Sequence, residues 1–308
     1  MRATMPEPAI VVRDLHMSYG PSEVLHGIDV EVDAGEVFGL LGPNGAGKTT
    51  TLEILEGFRR RTAGQVTVLG RDPERPTRDW RDRIGIVLQE CELNPVLTVK
   101  ETMSMFARFY RRPRRVGDTI ELVGLGPEGD ARVGTLSGGE RRRLDVGVAL
   151  VGDPDLLFLD EPTTGFDPSA RRSAWNMVEG LRALGKTVVL TTHYMDEANH
   201  LADRVAILRA GAIAALGSPA ELAGDGTADT VISFGLREAS QLDALRASVR
   251  EPLEVAGGLV TLRSRRAQRT LYELTSWAER EGVELAGLEA RRPTLEDTFL
   301  EVTEARDG

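Results

Sequence analysis

The sequence predicts an α/β domain followed by a smaller α+β domain, and three observations carry that prediction. A short apolar run at residues 37–41 passes into a glycine-rich loop and then into helical spacing at Leu52, Ile54 and Leu55, which is the order strand, loop, helix. A second apolar run at 156–159 ends in two acidic residues, Asp160 and Glu161, and an unbroken apolar run marks a strand buried on both faces. Past residues 223–227, where the composition loosens to AGDGT, the pattern reads strand, helix, strand, strand, helix, strand, the β-α-β-β-α-β plan of ferredoxin-like modules.

The glycine-rich loop consists of Gly42, Pro43, Asn44, Gly45, Ala46, Gly47, Lys48, Thr49 and Thr50, and it fits G-x-x-x-x-G-K-[ST]. Backbone N–H groups hold a multiply charged phosphate chain only if the backbone comes within hydrogen-bond distance. Glycine removes the side chains that would block that approach. The helix that follows points its free N–H groups and the positive end of its dipole at the same anion. Lys48 adds a mobile point charge, and the Thr49 hydroxyl is placed to ligate Mg2+. These features imply nucleotide binding.

With 308 residues, 41% hydrophobic and 28% charged, the chain has material for one large domain and a small one. It has a single cysteine, Cys91, so no internal disulfide forms, and a reducing compartment is expected. No run reaches the roughly 18 apolar residues that span a bilayer, and the start lacks the apolar core of a signal peptide. A net charge of -10 argues against a protein that wraps nucleic acid.

Strands are expected at 10–12 and 28–32, with Gly20 and Pro21 as a turn between them. Tyr19 closes the first segment, where its ring either stacks on a purine or joins the core. Strands follow at 65–69 and 84–88, the second ending at Gln89. A polar amide there lies at the edge where open α/β sheets bind ligands. From Val99 to about Leu125 the pattern is helical, with Met103, Phe106 and Tyr110 on one stripe and Arg111, Arg112, Arg114 and Arg115 closing it. That charge run is either a solvated helix end or a contact for anionic lipid or a membrane partner.

The sequence LSGGE follows at 136–140. Ser137 suits an N-cap, and Gly138 and Gly139 leave N–H groups bare before a helix. The segment is either a second anion site or a capped helix start with nothing bound. Asp160 and Glu161 fit one carboxylate on Mg2+ and one beside an attacking water. A strand at 187–191 delivers Thr192 and His193 to the same sheet edge. Strands at 203–209 and 212–216 close the domain. In the second domain strands are expected at 231–234, 253–255, 259–262 and 283–288, helices around Leu245 and Leu274, and a last helix over 295–302.

In this order and spacing the motifs resemble those of the ATP-binding subunits of ABC transporters. Residues 42–50 match the phosphate loop, Gln89 the Q-loop, LSGGE the signature, LLFLDEP the segment ending in Asp160 and Glu161, Asp167 the D-loop and His193 the switch histidine. The tail PTLEDTFLEVT is similar to that of ABC-2-type multidrug and antibiotic-resistance exporters of the daunorubicin-resistance ATPase family. The resemblance implies a P-loop ATPase domain over 8–222, with a mixed-sheet core, an antiparallel β subdomain and an α-helical subdomain. An accessory domain over 228–304 follows.

The resemblance further implies a homodimer formed on ATP binding. Each ATP would lie between the loop of one copy, with Tyr19 and Gln89, and Ser137, Gly138, Gly139 and Asp167 of the other. Lys48, Glu161 and His193 would serve catalysis, and Thr49, Gln89 and Asp160 would hold Mg2+. The partner would be an integral membrane permease of ABC-2 type, with the chain peripheral on the cytoplasmic face of the membrane. Glu140 stands where the family often has Gln, and Phe166 where Leu is usual. Alternatives are a soluble ABC ATPase acting on ribosomes or DNA, and a subunit for import or for lipid or polysaccharide export. The interval between Thr50 and Ser137 is too short for the long coiled coil of the chromosome and repair ATPases.

Overall fold

Two long strands, β1 (Ile10–Tyr19) and β2 (Ser22–Val32), fold back on each other across Gly20, whose φ of 60° suits a residue without Cβ. The computed structural model describes residues 7–88, 92–224, 229–236 and 241–304. Gln89, Cys91 and most of the 223–227 segment therefore lie outside the described residues. The chain divides into two compact units between Pro219 and Ala220.

The first unit continues with β3 (Val37–Leu41), α1 (Lys48–Leu55), β4 (Ala63–Val68), α2 (Arg78–Arg81), β5 (Ile84–Val87), α3 (Val99–Ala107), α4 (Val116–Leu122) and α5 (Gly138–Leu150). It closes with β6 (Leu156–Asp160), α6 (Pro168–Ala183), β7 (Thr187–Thr192), α7 (Met195–Leu201), β8 (Arg204–Arg209) and β9 (Ala212–Gly217), and a short α8 (Pro219–Leu222) follows. Three strands form an antiparallel sheet in the order β2-β1-β4, and six form a mixed sheet in the order β5-β6-β7-β3-β8-β9. In the mixed sheet every pairing is parallel except β8 with β9.

Side chains alternate across the mixed sheet, so each strand feeds two cores. Leu156, Phe158 and Val189 pack with the apolar residues of β1, β2 and α1. Leu157, Leu159, Val188 and Leu190 pack with α3, α5 and α6. Burial on both faces explains the unbroken apolar runs of β6 and β7.

The second unit contains β10 (Thr230–Gly235), α9 (Gln241–Ser248), β11 (Leu253–Ala256), β12 (Leu259–Ser264), α10 (Ala267–Glu281), β13 (Ala286–Arg291) and α11 (Leu295–Glu304). Its sheet is antiparallel throughout in the order β11-β12-β10-β13. Each strand-helix-strand unit is thus split by a strand of the other, as in ferredoxin-like modules. Ile232, Phe234, Val260 and Leu262 meet Leu245, Leu274 and Trp277 in one core.

Three sequence expectations are corrected. The helix read from Val99 to Leu125 is two helices, because Pro113 lacks an N–H and disfavours helix before it. The arginine run sits between them, with Arg111 on Asp79 at 2.7 Å and Arg114 on Asp153 at 2.9 Å. The strand read at 283–288 is β13, shifted toward Arg291. It is largely exposed, which removes the alternation that would have fixed its bounds. β1 runs on past Val12 to Tyr19; a bulge with Asp14 at φ 49° breaks its alternation after Val12 and hides that continuation in the sequence.

Candidate functional site

The sheet order places β6, β7 and β3 side by side, with Asp160 opposite Thr191 and Leu41 opposite Thr192. Their carboxyl ends deliver to one edge the loop after Leu41, the pair Asp160 and Glu161, and His193, and such an edge is where open α/β sheets bind ligands. A cavity of about 480 Å³ opens there, lined by Asn44, Gly45, Gly47, Lys48, Thr49 and Thr50 of the loop, by Glu161, Thr164 and His193, and by Val24.

The loop keeps its shape through close backbone approaches. A Cβ on Gly42 would lie 2.6 Å from the Leu208 carbonyl oxygen, and one on Gly47, at φ 103°, would lie 2.5 Å from Leu25 Cδ2. Gly47 caps α1 without a side chain, so the first N–H groups of the helix are not taken by a side-chain cap. Lys48 is buried, and its Nζ donates to the carbonyls of Gly42 at 2.8 Å and Pro43 at 3.2 Å. Burial lowers its pKa, and the charges of Glu161 and Asp160 oppose that fall. Ala46 is buried in the loop and donates its N–H to Pro43 at 3.2 Å.

The two carboxylates are held differently. Asp160 is buried and accepts a hydrogen bond from the Thr191 hydroxyl, while its carbonyl accepts from Arg142 at 3.0 Å. Glu161 faces the cavity with φ 44°, a left-handed conformation that a non-glycine residue keeps only when its surroundings enforce it. The enforcing contacts are its N–H on Thr191 Oγ1 at 2.9 Å and the Thr164 hydroxyl on its Oε2 at 3.0 Å. His193 Nδ1 lies 3.4 Å from Glu161 Oε1, outside hydrogen-bond geometry.

Other expected residues stand apart from this cavity. Tyr19 is 42% exposed, with its hydroxyl 3.5 Å from Thr50 Oγ1 and the Arg59 guanidinium 4.9 Å from its ring centroid. Ser137 caps α5 in a capping box: the Glu140 carboxylate accepts its N–H at 2.7 Å, and the Glu140 N–H donates to its Oγ at 3.4 Å. That backbone bond lowers the pKa of Glu140, and it accounts for an acid at this position. Asp167 caps α6, accepting from Ser169 and Ala170 at 2.8 and 2.9 Å, and those bonds lower its pKa. Ser137, Gly138, Gly139 and Asp167 do not line the cavity of their own chain.

Residues that sequence reasoning missed include Thr191, Thr164 and Arg142. A hydroxyl at the carboxyl end of a buried strand, in register with Asp160, was the available signal for Thr191. Arg142 reads as one more charge of an arginine run, yet it is buried and also donates to the Leu88 carbonyl at 2.5 Å.

This fold and this loop define a phosphate-loop nucleotide-binding protein. The model of a family described as ABC transporter matches residues 25–164, and that of the ABC transporter domain-containing protein-like C-terminal domain matches 230–294. The chain is 40% identical over 303 residues to Nod factor export ATP-binding protein I of Rhizobium meliloti (strain 1021), covering 97% of this chain and 89% of that one. It is 37% identical over 322 residues to daunorubicin resistance ATP-binding protein DrrA3 of Streptomyces coeruleorubidus, covering 97% of each. Among solved structures, cbiO1 from Clostridium perfringens matches with a TM-score of 0.65 at 26% identity, over 70% of this chain and 90% of that one. An ATP-binding subunit of an ABC transporter matches with a TM-score of 0.63 at 25% identity, over 71% and 93%. The chain belongs to the ATP-binding proteins of the ABC transporter family, and it is an ATPase.

Proposed function

We propose that the chain is the ATP-hydrolysing subunit of an exporter, working as a homodimer on a separate membrane permease of ABC-2 type that passes a small, hydrophobic drug-like compound. One observation carries the dimer: the chain has two glycine-bearing helix starts suited to anions, α1 and α5, and only the first lines the cavity with Glu161 and His193. Two copies placed head to tail would complete two sites, each with Ser137, Gly138, Gly139 and Asp167 supplied by the other copy. Export is supported by the names of relatives that match along nearly the whole chain.

Lys48 pairs with the β- and γ-phosphates, Glu161 polarises the attacking water and His193 contacts the γ-phosphate. Tyr19 borders the base. Among the described residues no cluster of three or more His, Cys, Asp or Glu stands ready to hold a metal ion alone. Thr49 and Asp160 offer the hard oxygen donors that suit Mg2+ shared with phosphates, and Gln89 would join them. When bound, Mg2+ neutralises phosphate charge. Loss of the bridging γ-phosphate lets the dimer open and drives helices in the permease.

Among the described residues no helix is long and apolar enough to cross a membrane. Attachment to the cytoplasmic face is therefore assigned to the permease. Affinity capture of the tagged chain from detergent-solubilised membranes tests this reading. It should recover an integral membrane protein with about six apolar spans. Recovery with ribosomes or DNA instead contradicts it.

A further inference from the structure

Glu197 of α7 is fully buried, and the donors around its carboxyl stand within reach of it but outside full hydrogen-bond geometry. Three polar side chains from three other segments approach it: Thr192 from the end of β7, Thr163 from the turn after β6, and Trp175 from α6. Burial, the largest influence, raises its pKa, and hydrogen bonding from those three neighbours draws it down. Thr163 Oγ1 and Trp175 Nε1 are likewise buried without hydrogen-bond partners. Burying so many polar atoms costs free energy, and an apolar residue would fill the same space more cheaply. A cluster of this kind calls for a reason beyond stability.

Its location supplies one. Thr163 stands two residues after Glu161, Thr192 immediately precedes His193, and α6 begins at the Asp167 cap. The Glu197 carboxyl therefore sits behind the segments that carry all three groups. We propose that Glu197 is a positioning residue for ATP hydrolysis, bracing the 161–164 turn against the strand end that bears His193 and so fixing Glu161 and His193 3.4 Å apart. Its two carboxyl oxygens can accept from the Thr163 and Thr192 hydroxyls and the Trp175 N–H, so one side chain links three segments at once. The role rests on the hydrolytic assignment of Glu161 made above.

Steady-state ATPase kinetics of three variants test it, at a temperature where circular dichroism shows each to be folded. Glu197→Gln keeps a donor and an acceptor in nearly the same shape, Glu197→Ala removes both, and Thr163→Val removes one partner. The kcat of Glu197→Ala should fall about tenfold or more through misplacement of the reacting groups, with KM for ATP within about twofold because binding groups are untouched. Glu197→Gln should stay within about twofold of the unmutated kcat, a rescue that a purely charged role forbids. Should Glu197→Ala not fold, Thr163→Val carries the test, with kcat lowered several-fold and KM unmoved. An unmutated kcat in Glu197→Ala or in Thr163→Val overturns the proposal, as does a Glu197→Gln as slow as the alanine variant. Glu161→Gln is the control. If it is slow while Glu197→Ala is not, only the positioning role fails; if it too is fast, the assignment of Glu161 fails.

Discussion

The Thr191 hydroxyl donates to the Asp160 carboxylate and, through the same oxygen, accepts the Glu161 N–H at 2.9 Å. One side chain near the end of β7 thus ties both Asp160, the last residue of β6, and Glu161 just after it to the neighbouring strand. Thr191→Val keeps the shape but leaves a buried carboxylate short of a donor and an N–H unpaired. The expected loss is about 1–3 kcal/mol of stability in urea unfolding, with a lower ATPase rate that Thr191→Ser restores. An unchanged unfolding midpoint in the valine variant would show that the hydroxyl bond does not hold the site.

Lys48 carries the one positive side chain that lines the cavity among its described residues. Lys48→Met keeps the chain length and removes the charge. ATP affinity, read by titration with a fluorescent analogue, should weaken by about 1.5–3 kcal/mol, or roughly 10- to 150-fold in Kd. An unaltered Kd would mean that the loop backbone alone binds the phosphates.

Glu56, at the C-terminal cap of α1, is buried, and burial lifts its pKa to about 8, with the charges of Asp160 and Glu53 adding to the rise. The folded chain then keeps a proton that the unfolded chain releases near 4.5. Its contribution to stability is fully present below that lower value and is lost as pH rises through about 8. Thermal unfolding should show a Tm that declines between pH 5 and 8, and Glu56→Gln should decline less and overtake the unmutated protein on the alkaline side. Parallel curves for the two proteins would place Glu56 as an ordinary carboxylate.

The second unit has its own sheet and its own core, so removing residues 228–308 should leave ATP affinity within about twofold. Capture of the membrane partner should drop. Undiminished capture by the truncated chain would assign the second unit some other task.

The phosphate loop, the Leu156–Asp160 strand and the split β-α-β plan were legible because each rests on local pattern: glycines at fixed spacing, an unbroken apolar run, alternation closing at turn residues. Thr191, Arg142 and Glu197 were not legible. Their meaning comes from parallel pairing and from packing between segments far apart in the chain, and nothing in a threonine or an arginine marks such a partner in advance. Pro113 shows the opposite failure, a local signal outweighed in the reading by the apolar stripe of Met103, Phe106 and Tyr110. The shifted bounds of β13 follow from its exposure, which removes the alternation that identifies a half-buried strand.

In the proposed dimer each chain presents two unlike half-sites, and each triphosphate is held only where a half-site of one copy meets the other kind from a second copy. Size-exclusion chromatography with light scattering on Glu161→Gln, with and without ATP and Mg2+, tests it most directly. The expected result is a monomer that becomes a dimer when ATP and Mg2+ are added, with ATP retained and turnover slowed by about 10²-fold or more. A strictly monomeric Glu161→Gln under saturating ATP and Mg2+, alone and with its membrane partner, would contradict the account.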